Sequence, residues 1–305
     1  MEVNIGIPRA LLYHEFGELW TNFFTNAGIP FTVSDSTNLT ILNHGTELAI
    51  DESCLPLKIY LGHVQSLLER CTHIFIPRVV GYHDNFFLCA KFAGLPDIVR
   101  NTFQIPGDRI IVPNIENKST IGQIQALNET CKPLHLSKIA AYRAYHQAQQ
   151  CWHNLQPSAS QPSNCKVAMI GHSYLLKDNF FCRDIFSALT KRNTTIVTPE
   201  QIPSKLLYKE AKAFQPDIYW QLSAKIAGAV RFFSRQSDIS GIIMLSSFGC
   251  GPDSLINEYL EHHILSGCGK PYLIVNIDEH TGSAGMITRV EAFLDLVDWR
   301  LKSCK

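Results

Sequence analysis

From residue 166 onward, short apolar runs alternate with amphipathic stretches, and this alternation restricts the possible fold more than any other feature of the sequence. The apolar runs fall at residues 167–170, 195–198, 217–221, 241–245 and 272–277. The amphipathic stretches fall between and after them, at 180–191, 205–214, 225–235, 253–265 and 284–301. Strands and helices alternating at this spacing imply a parallel sheet covered on both faces. The first half repeats the habit, with strands expected at 3–7, 31–33, 73–76 and 109–112 and helices at 11–27 and 57–70. Ala27-Gly28-Ile29 supplies the glycine stop of the first helix. A long helical stretch at 132–153 runs into residues 154–164, where Gln, Pro and Ser replace large apolar side chains. The expectation is an α/β protein of two Rossmann-like domains with parallel sheets flanked by helices. An N-terminal domain, 1–153, ends in a connecting helix; a linker, 154–165, leads to a C-terminal domain, 166–305.

Composition narrows the function. Among 305 residues, Lys+Arg and Asp+Glu both number 27, so the net charge is zero and leaves no electrostatic footprint for nucleic acid or an anionic membrane. No apolar run approaches the roughly 20 residues that span a bilayer. Met-Glu-Val-Asn-Ile-Gly places an acid where a signal peptide needs cations, so the chain is expected in the cytoplasm, where thiols stay reduced. Ten cysteines are then more readily metal ligands or core residues than a disulfide framework. No Cys-x-x-Cys occurs, which argues against zinc ribbons, thioredoxin-like sites and ferredoxin-type loops. Any metal must be held by ligands scattered along the chain.

In such sheets chemistry gathers beyond the carboxyl ends of the strands. Cys54, in Asp51-Glu52-Ser53-Cys54-Leu55-Pro56-Leu57-Lys58, precedes a helix with proline in its first turn. A thiolate there is favoured by the helix dipole and suits a metal, while a buried cysteine in a helix-entry loop fits the same residues. Cys89 follows an aromatic-rich loop, ahead of Gly94-Leu95-Pro96, which reads as a helix start; ligand and core cysteine are again both open. Cys250 stands between Gly249 and Gly251 directly after a buried-looking strand, and Pro252 leads into a helix. Bare backbone on both sides lets N–H groups approach a sulfur, which tunes the charge of a cluster. Asp278-Glu279-His280-Thr281-Gly282-Ser283 could handle protons or cradle an anion, or Thr281 or Ser283 could simply cap the last helix. His172, after the first strand of the second half, belongs to the same kind of crevice. Cys71, Cys131, Cys151, Cys165, Cys182 and Cys304 read as incidental, with Cys268, in a Gly-Cys-Gly turn, as a reserve ligand.

Taken in order, Ile5-Gly6-Ile7-Pro8-Arg9-Ala10-Leu11, Glu52-x-Cys54-Leu55-Pro56-x-Lys58, Gly62-His63-Val64, Cys89-x-Lys91 with Gly94-Leu95-Pro96-Asp97, Phe248-Gly249-Cys250-Gly251-Pro252-Asp253-Ser254 and Asp278-Glu279-His280 form a recognisable series. The chain resembles the DUF2229 family of acyl-CoA dehydratase activase-related proteins, kin to the cluster subunits of 2-hydroxyacyl-CoA dehydratases and to double-cubane cluster proteins. It departs from that pattern at Ala90, Ser173 and Gln221-Leu222-Ser223.

The resemblance implies an oxygen-sensitive [4Fe-4S] cubane on Cys54, Cys89 and Cys250, with the fourth iron free for a small ligand or substrate. A double cubane would normally need more cysteines than the three that match. Gly249 and Gly251 would lie against the cofactor, and His172, Glu279 and His280 would contact protons or substrate. Electrons would come from an ATP-hydrolysing activase of actin-like fold. This chain has no Gly-x-x-x-x-Gly-Lys-Ser/Thr loop, so it reads as the electron acceptor, an electron-transfer or reductase component. Two alternatives stand beside that reading. One is a dehydratase acting on a 2-hydroxyacyl-CoA, and the other a non-redox metal-binding or scaffold protein, for which zinc suits the same thiolates. Relatives suggest a homodimer.

Overall fold

The computed structural model describes residues 3–83, 86–116, 119–153, 165–215, 217–280 and 282–303. The chain separates into two compact units, Met1–Gln156 and Pro157–Lys305. Each carries a parallel sheet flanked by helices, so the α/β class expected from the strand–helix alternation is what the chain adopts. Cys304 and, apart from Cys165, the linker at 154–165 lie outside the described residues.

The first unit runs β1 (Ile5–Ile7), α1 (Tyr13–Asn26), β2 (Phe31–Val33), α2 (Leu39–Leu48), α3 (Leu55–Gln65), β3 (His73–Phe75), β4 (Arg78–Val79), α4 (Ala90–Phe103), β5 (Ile110–Ile111), β6 (Asn114–Ile115), α5 (Thr120–Cys131) and α6 (Lys138–His153). Its sheet has the order β2-β1-β3-β5, and β4 pairs in parallel with β6. Pro77 and Pro113 explain why one strand pair becomes two. Neither can donate to a ladder, so β3/β5 pause there and resume as β4/β6, with Ile76 N–H on Ile111 O and Arg78 N–H on Pro113 O. Gly28 ends α1 at φ +67°, and the Ile29 amide reaches back to Phe24 O, a glycine-driven stop as the sequence suggests.

Helix 132–153 is not continuous. α5 ends at Cys131, the chain turns through Pro133 and His135 (φ +51°), and α6 starts only at Lys138. Pro133 lacks the amide that would continue a helix, and the amides of Leu134 and Leu136 both turn back onto Cys131 O. Nor is α6 merely a connector. Its Ala141, Ala144 and Ala148 pack with Leu19, Phe23 and Phe24 of α1 in the core of the first unit. α4 also starts earlier than Gly94-Leu95-Pro96 suggests: Cys89 is extended (ψ 153°), Ala90 is already helical, and Pro96 lies buried inside the helix.

The second unit runs β7 (Lys166–Ile170), α7 (Ser173–Leu176), α8 (Asn179–Lys191), β8 (Thr195–Val197), α9 (Ser204–Ala211), α10 (Gln221–Ser234), β9 (Gly241–Ser247), α11 (Gly251–Leu260), β10 (Tyr272–Ile277) and α12 (Ser283–Ser303). The sheet order is β10-β9-β7-β8, all parallel, and central β9 is buried along its whole length. The strand expected at 217–221 does not form among the described residues. Trp220 is the extended residue before α10, and Gln221 opens that helix. The apolar character there serves packing, since half-buried Ile218 lies against the core of Ile226, Val230 and Met244.

In both sheets the connections reverse direction across one strand pair, β1/β3 in the first and β7/β9 in the second. The crevice beyond the carboxyl ends of such a pair is where parallel α/β sheets bind ligands.

α3 is the pivot of the first unit. It is buried all round from Leu55 to Val64, which identifies a central helix rather than a surface one. Two glycines let α2 cross it closely: a Cβ on Gly45 would collide with Lys58 O, and one on Gly62 with Ile41 O. His63 anchors the helix with both ring nitrogens, Nδ1 2.9 Å from Ser34 Oγ and Nε2 3.0 Å from Thr37 Oγ1. Burial, aided by the nearby charges of His14 and Arg9, pushes its pKa down from 6.5 to about 3. The folded protein therefore holds His63 neutral where the unfolded chain protonates it.

Two predictions follow from this packing. Gly62→Ala should cost at least ~1–3 kcal/mol, read as a fall in the denaturant midpoint, because a backbone carbonyl and not a flexible side chain meets the new methyl. With its folded pKa depressed, His63 contributes stability that is present above pH 6.5 and lost as pH falls towards about 3. Unfolding free energy measured over that window should decline by up to about 1.4 kcal/mol per pH unit from this residue, and His63→Gln should flatten the decline.

Candidate metal centre

The three cysteines singled out in the sequence share one local setting. Cys54, Cys89 and Cys250 are the N-cap residues of α3, α4 and α11, each with extended backbone (ψ 147°, 153° and 104°). Pro56 and Pro252 occupy the first turns of α3 and α11, where a missing amide is harmless. A sulfur at a helix N-terminus faces the positive end of the dipole, which favours thiolate over thiol. None of the three is fully buried, and none forms a disulfide.

In the first unit, Cys54 and Cys89 lie close enough to feel each other's charge. The Cys89 thiol is held above its ordinary pKa of 9.0, first by burial and also by the neighbouring Cys54. The amides of Lys91 and Phe92 and the Lys91 ammonium pull in the opposite direction. Two thiols that feel each other's charge repel when both ionise, and a cation between them would offset that repulsion. This donor chemistry fits thiophilic metal or an iron–sulfur group.

In the second unit the switch-point pair β7/β9 sets the site. Leaving β7, Gly171 leads to His172, which caps α7; leaving β9, Phe248 and Gly249 lead to Cys250. Gly249 sits at φ +75°, so its glycine identity is required by the turn. Gly251 opens α11 with free space where a Cβ would stand. Asp253, in the first turn of α11, completes the group. Its Oδ1 lies 2.6 Å from His172 Nε2, and both side chains are buried, 2% and 4% exposed. A sulfur, a ring nitrogen and a carboxylate oxygen of Cys250, His172 and Asp253 lie within 4.8 Å of one another.

Asp253 is the residue the sequence did not single out. It is 81 positions from His172, and only the parallel pairing of β7 with β9 makes them neighbours. Its one sequence signal was its place three residues after Cys250. Glu279 and His280 follow edge strand β10 and are not part of this group. His280 is exposed, and its amide donates to Asp278 Oδ1 at 2.8 Å. Thr281 lies outside the described residues.

The fold is thus that of parallel α/β units whose three highlighted thiols stand at helix N-termini. The family model described as the CoA enzyme activase uncharacterised domain (DUF2229) matches residues 4–202, and the chain belongs to that family. The matched span contains Cys54, Cys89 and His172 and ends before β9, so Cys250 and Asp253 lie beyond it. No curated protein matches the chain. Among the described residues, no helix is long and apolar enough to cross a membrane.

Replacing Cys54 by Ser removes the charge that opposes ionisation of Cys89. The pH midpoint for alkylation of Cys89 should then move down, measured by mass spectrometry of the Cys89 peptide across a pH series.

Proposed function

We propose that this protein is an iron–sulfur electron-transfer or reductase component, with Cys54, Cys89 and Cys250 as thiolate ligands of a [4Fe-4S] cluster. The observation that carries the reading is the common placement of these three thiols, each at a helix N-terminus, with two of them electrostatically coupled. Chance core cysteines have no reason to share that position. When bound, such a cluster supplies one-electron redox chemistry at a potential set by hydrogen bonds, charge and solvent access. The chain's part is to present thiolates, favour their charge through helix N-termini, and keep Gly249 unhindered at the turn.

The family description, CoA enzyme activase uncharacterised domain, supports a working link to an activase, which on this reading is an ATP-hydrolysing partner of actin-like fold. That partner would deliver the electron, and a small-molecule substrate would meet the site from solvent. The setting would be cytoplasmic, where thiols remain reduced.

Protein purified under strict anaerobiosis should contain about four iron and four sulfide per chain, with a broad visible absorption bleached by reductant. Serine at Cys54, Cys89 or Cys250 should abolish it. Serine at Cys182 should not, because that thiol is buried, directed at the carbonyls of Leu176 and Asp178, and pushed up to about 12. Full iron and sulfide in Cys250→Ser would end the reading, and zinc in place of iron would make the chain a non-redox metal protein.

A further inference from the structure

The second unit holds a donor set that needs neither Cys54 nor Cys89. We propose that Cys250, His172 and Asp253 form a binding site for a divalent transition-metal cation of the zinc class, filled when no cluster holds the Cys250 sulfur.

The argument begins with the carboxylate. Asp253 Oδ1 is engaged with His172, but Oδ2 is buried and has no hydrogen-bond partner. A buried carboxylate oxygen left without a partner costs about 1–3 kcal/mol or more, and such atoms call for a missing ion or donor. The helix dipole at the first turn of α11 supports the negative charge but gives Oδ2 no bond. A purely structural His–Asp link would need only the one oxygen. It would also not require a half-buried cysteine sulfur within 4.8 Å of the pair.

The donor types match a known preference. Thiolate, imidazole and carboxylate are the three ligand classes of zinc, with bonds of about 2.0–2.3 Å that set tetrahedral ligands roughly 3.3–3.8 Å apart. All three donors already fall within 4.8 Å. The 2.6 Å contact between His172 and Asp253 opens slightly, or Oδ2 serves in place of Oδ1. Three protein donors leave a fourth position for water or a substrate atom, the pattern of reactive rather than closed structural zinc. Loading is balanced by protons. The Cys250 thiol gives its proton to solvent, and any hydrogen on His172 Nε2 leaves or moves to Nδ1, so that the cation replaces the proton between ring and carboxylate.

Position supports the same conclusion. His172 and Cys250 leave the two strands of the switch-point pair, and Asp253 rises from the helix that Cys250 caps. The donors are thus fixed by the ends of β7 and β9, not by a loose surface loop.

The test uses the full chain carrying Cys54→Ser and Cys89→Ser, titrated with Co2+ as a spectroscopic stand-in for zinc. One Co2+ per chain, with thiolate-to-metal charge transfer and tetrahedral d–d bands, is expected. Adding Asp253→Asn or His172→Gln should weaken Co2+ binding by more than about 100-fold, beyond the loss caused by an outer partner. No Co2+ in the folded double-serine protein, or a loss of about 100-fold or less in either added variant, overturns the proposal. Should the double-serine chain not fold, the native sequence decides. Zn2+ should slow alkylation of Cys250, and Asp253→Asn should remove that protection; equal rates with and without Zn2+, or protection that survives Asp253→Asn, overturn it. The cluster reading fails on the iron and sulfide content of native protein, so the two outcomes are separable.

Discussion

Parallel strand pairing is the constraint on which the rest of this protein depends. Neighbouring parallel strands cannot be joined by a tight turn, so each is followed by a crossover whose helix starts near the carboxyl edge of the sheet. Every such start exposes unpaired amides and the positive end of a dipole. The chain places polar chemistry at such helix openings: Cys89 at α4, His172 at α7 and Cys250 at α11 each follow a strand, and Cys54 opens α3, the second helix of its crossover. The reactive residues are far apart in sequence because each opens a different helix, Cys54 after α2 and the others after β4, β7 and β9. The absence of any Cys-x-x-Cys pair is thus a consequence of the architecture as much as of the chemistry.

Packing around α3 shows how such a thiol is held still. Close approach of α2 through Gly45 and Gly62 fixes the helix axis, and His63 ties its second half to Ser34 and Thr37, just after β2. Burial, with the charges of His14 and Arg9, keeps the imidazole between these two hydroxyls neutral far below its ordinary pKa. The N-terminus of α3, and with it Cys54, is positioned by contacts spread along two turns behind it. The sulfur can therefore stay partly open to a ligand while its helix is buried.

Much of this was legible in the sequence. β2 and β10 fall on the expected residues, and β7 and β9 differ only at their ends, because continuous apolar runs bounded by Gly, Pro and polar residues carry their own signal. Errors arose where apolar residues served tertiary packing, as Ile218 does, or where a single proline changed the pairing. Pro77 and Pro113 split strands, Pro133 separates α5 from α6, and Pro96, which resembles a helix start, lies within one. Of the site, the cysteines and His172 were visible as residues following strands. Asp253 was not, since its role depends on a contact across 81 positions that only strand order creates.

Placement also separates the cysteines by what their sulfurs face. Cys182 and Cys268 direct their sulfurs at backbone carbonyls, Leu176 O and Asp178 O for the first and Leu265 O for the second. Both thiols donate to those oxygens, and at Cys182 burial, with the Asp178 charge, pushes the pKa up to about 12. Cys131 closes α5 at its carbonyl end, the wrong pole for an anion, and burial pushes its pKa up to about 11. Cys71 is fully buried before β3, with burial the foremost cause of its raised pKa. The sequence already sets Cys71, Cys131 and Cys182 aside as incidental and keeps Cys268 in reserve, and the structure adds what each sulfur faces. What Cys54, Cys89 and Cys250 share is their place at the opening of a helix, the positive pole of its dipole, although burial still raises the pKa of Cys89. Asp253 rises from the first turn of the same helix that Cys250 opens, so sulfur, carboxylate and the His172 ring are gathered within 4.8 Å by the ends of two paired strands.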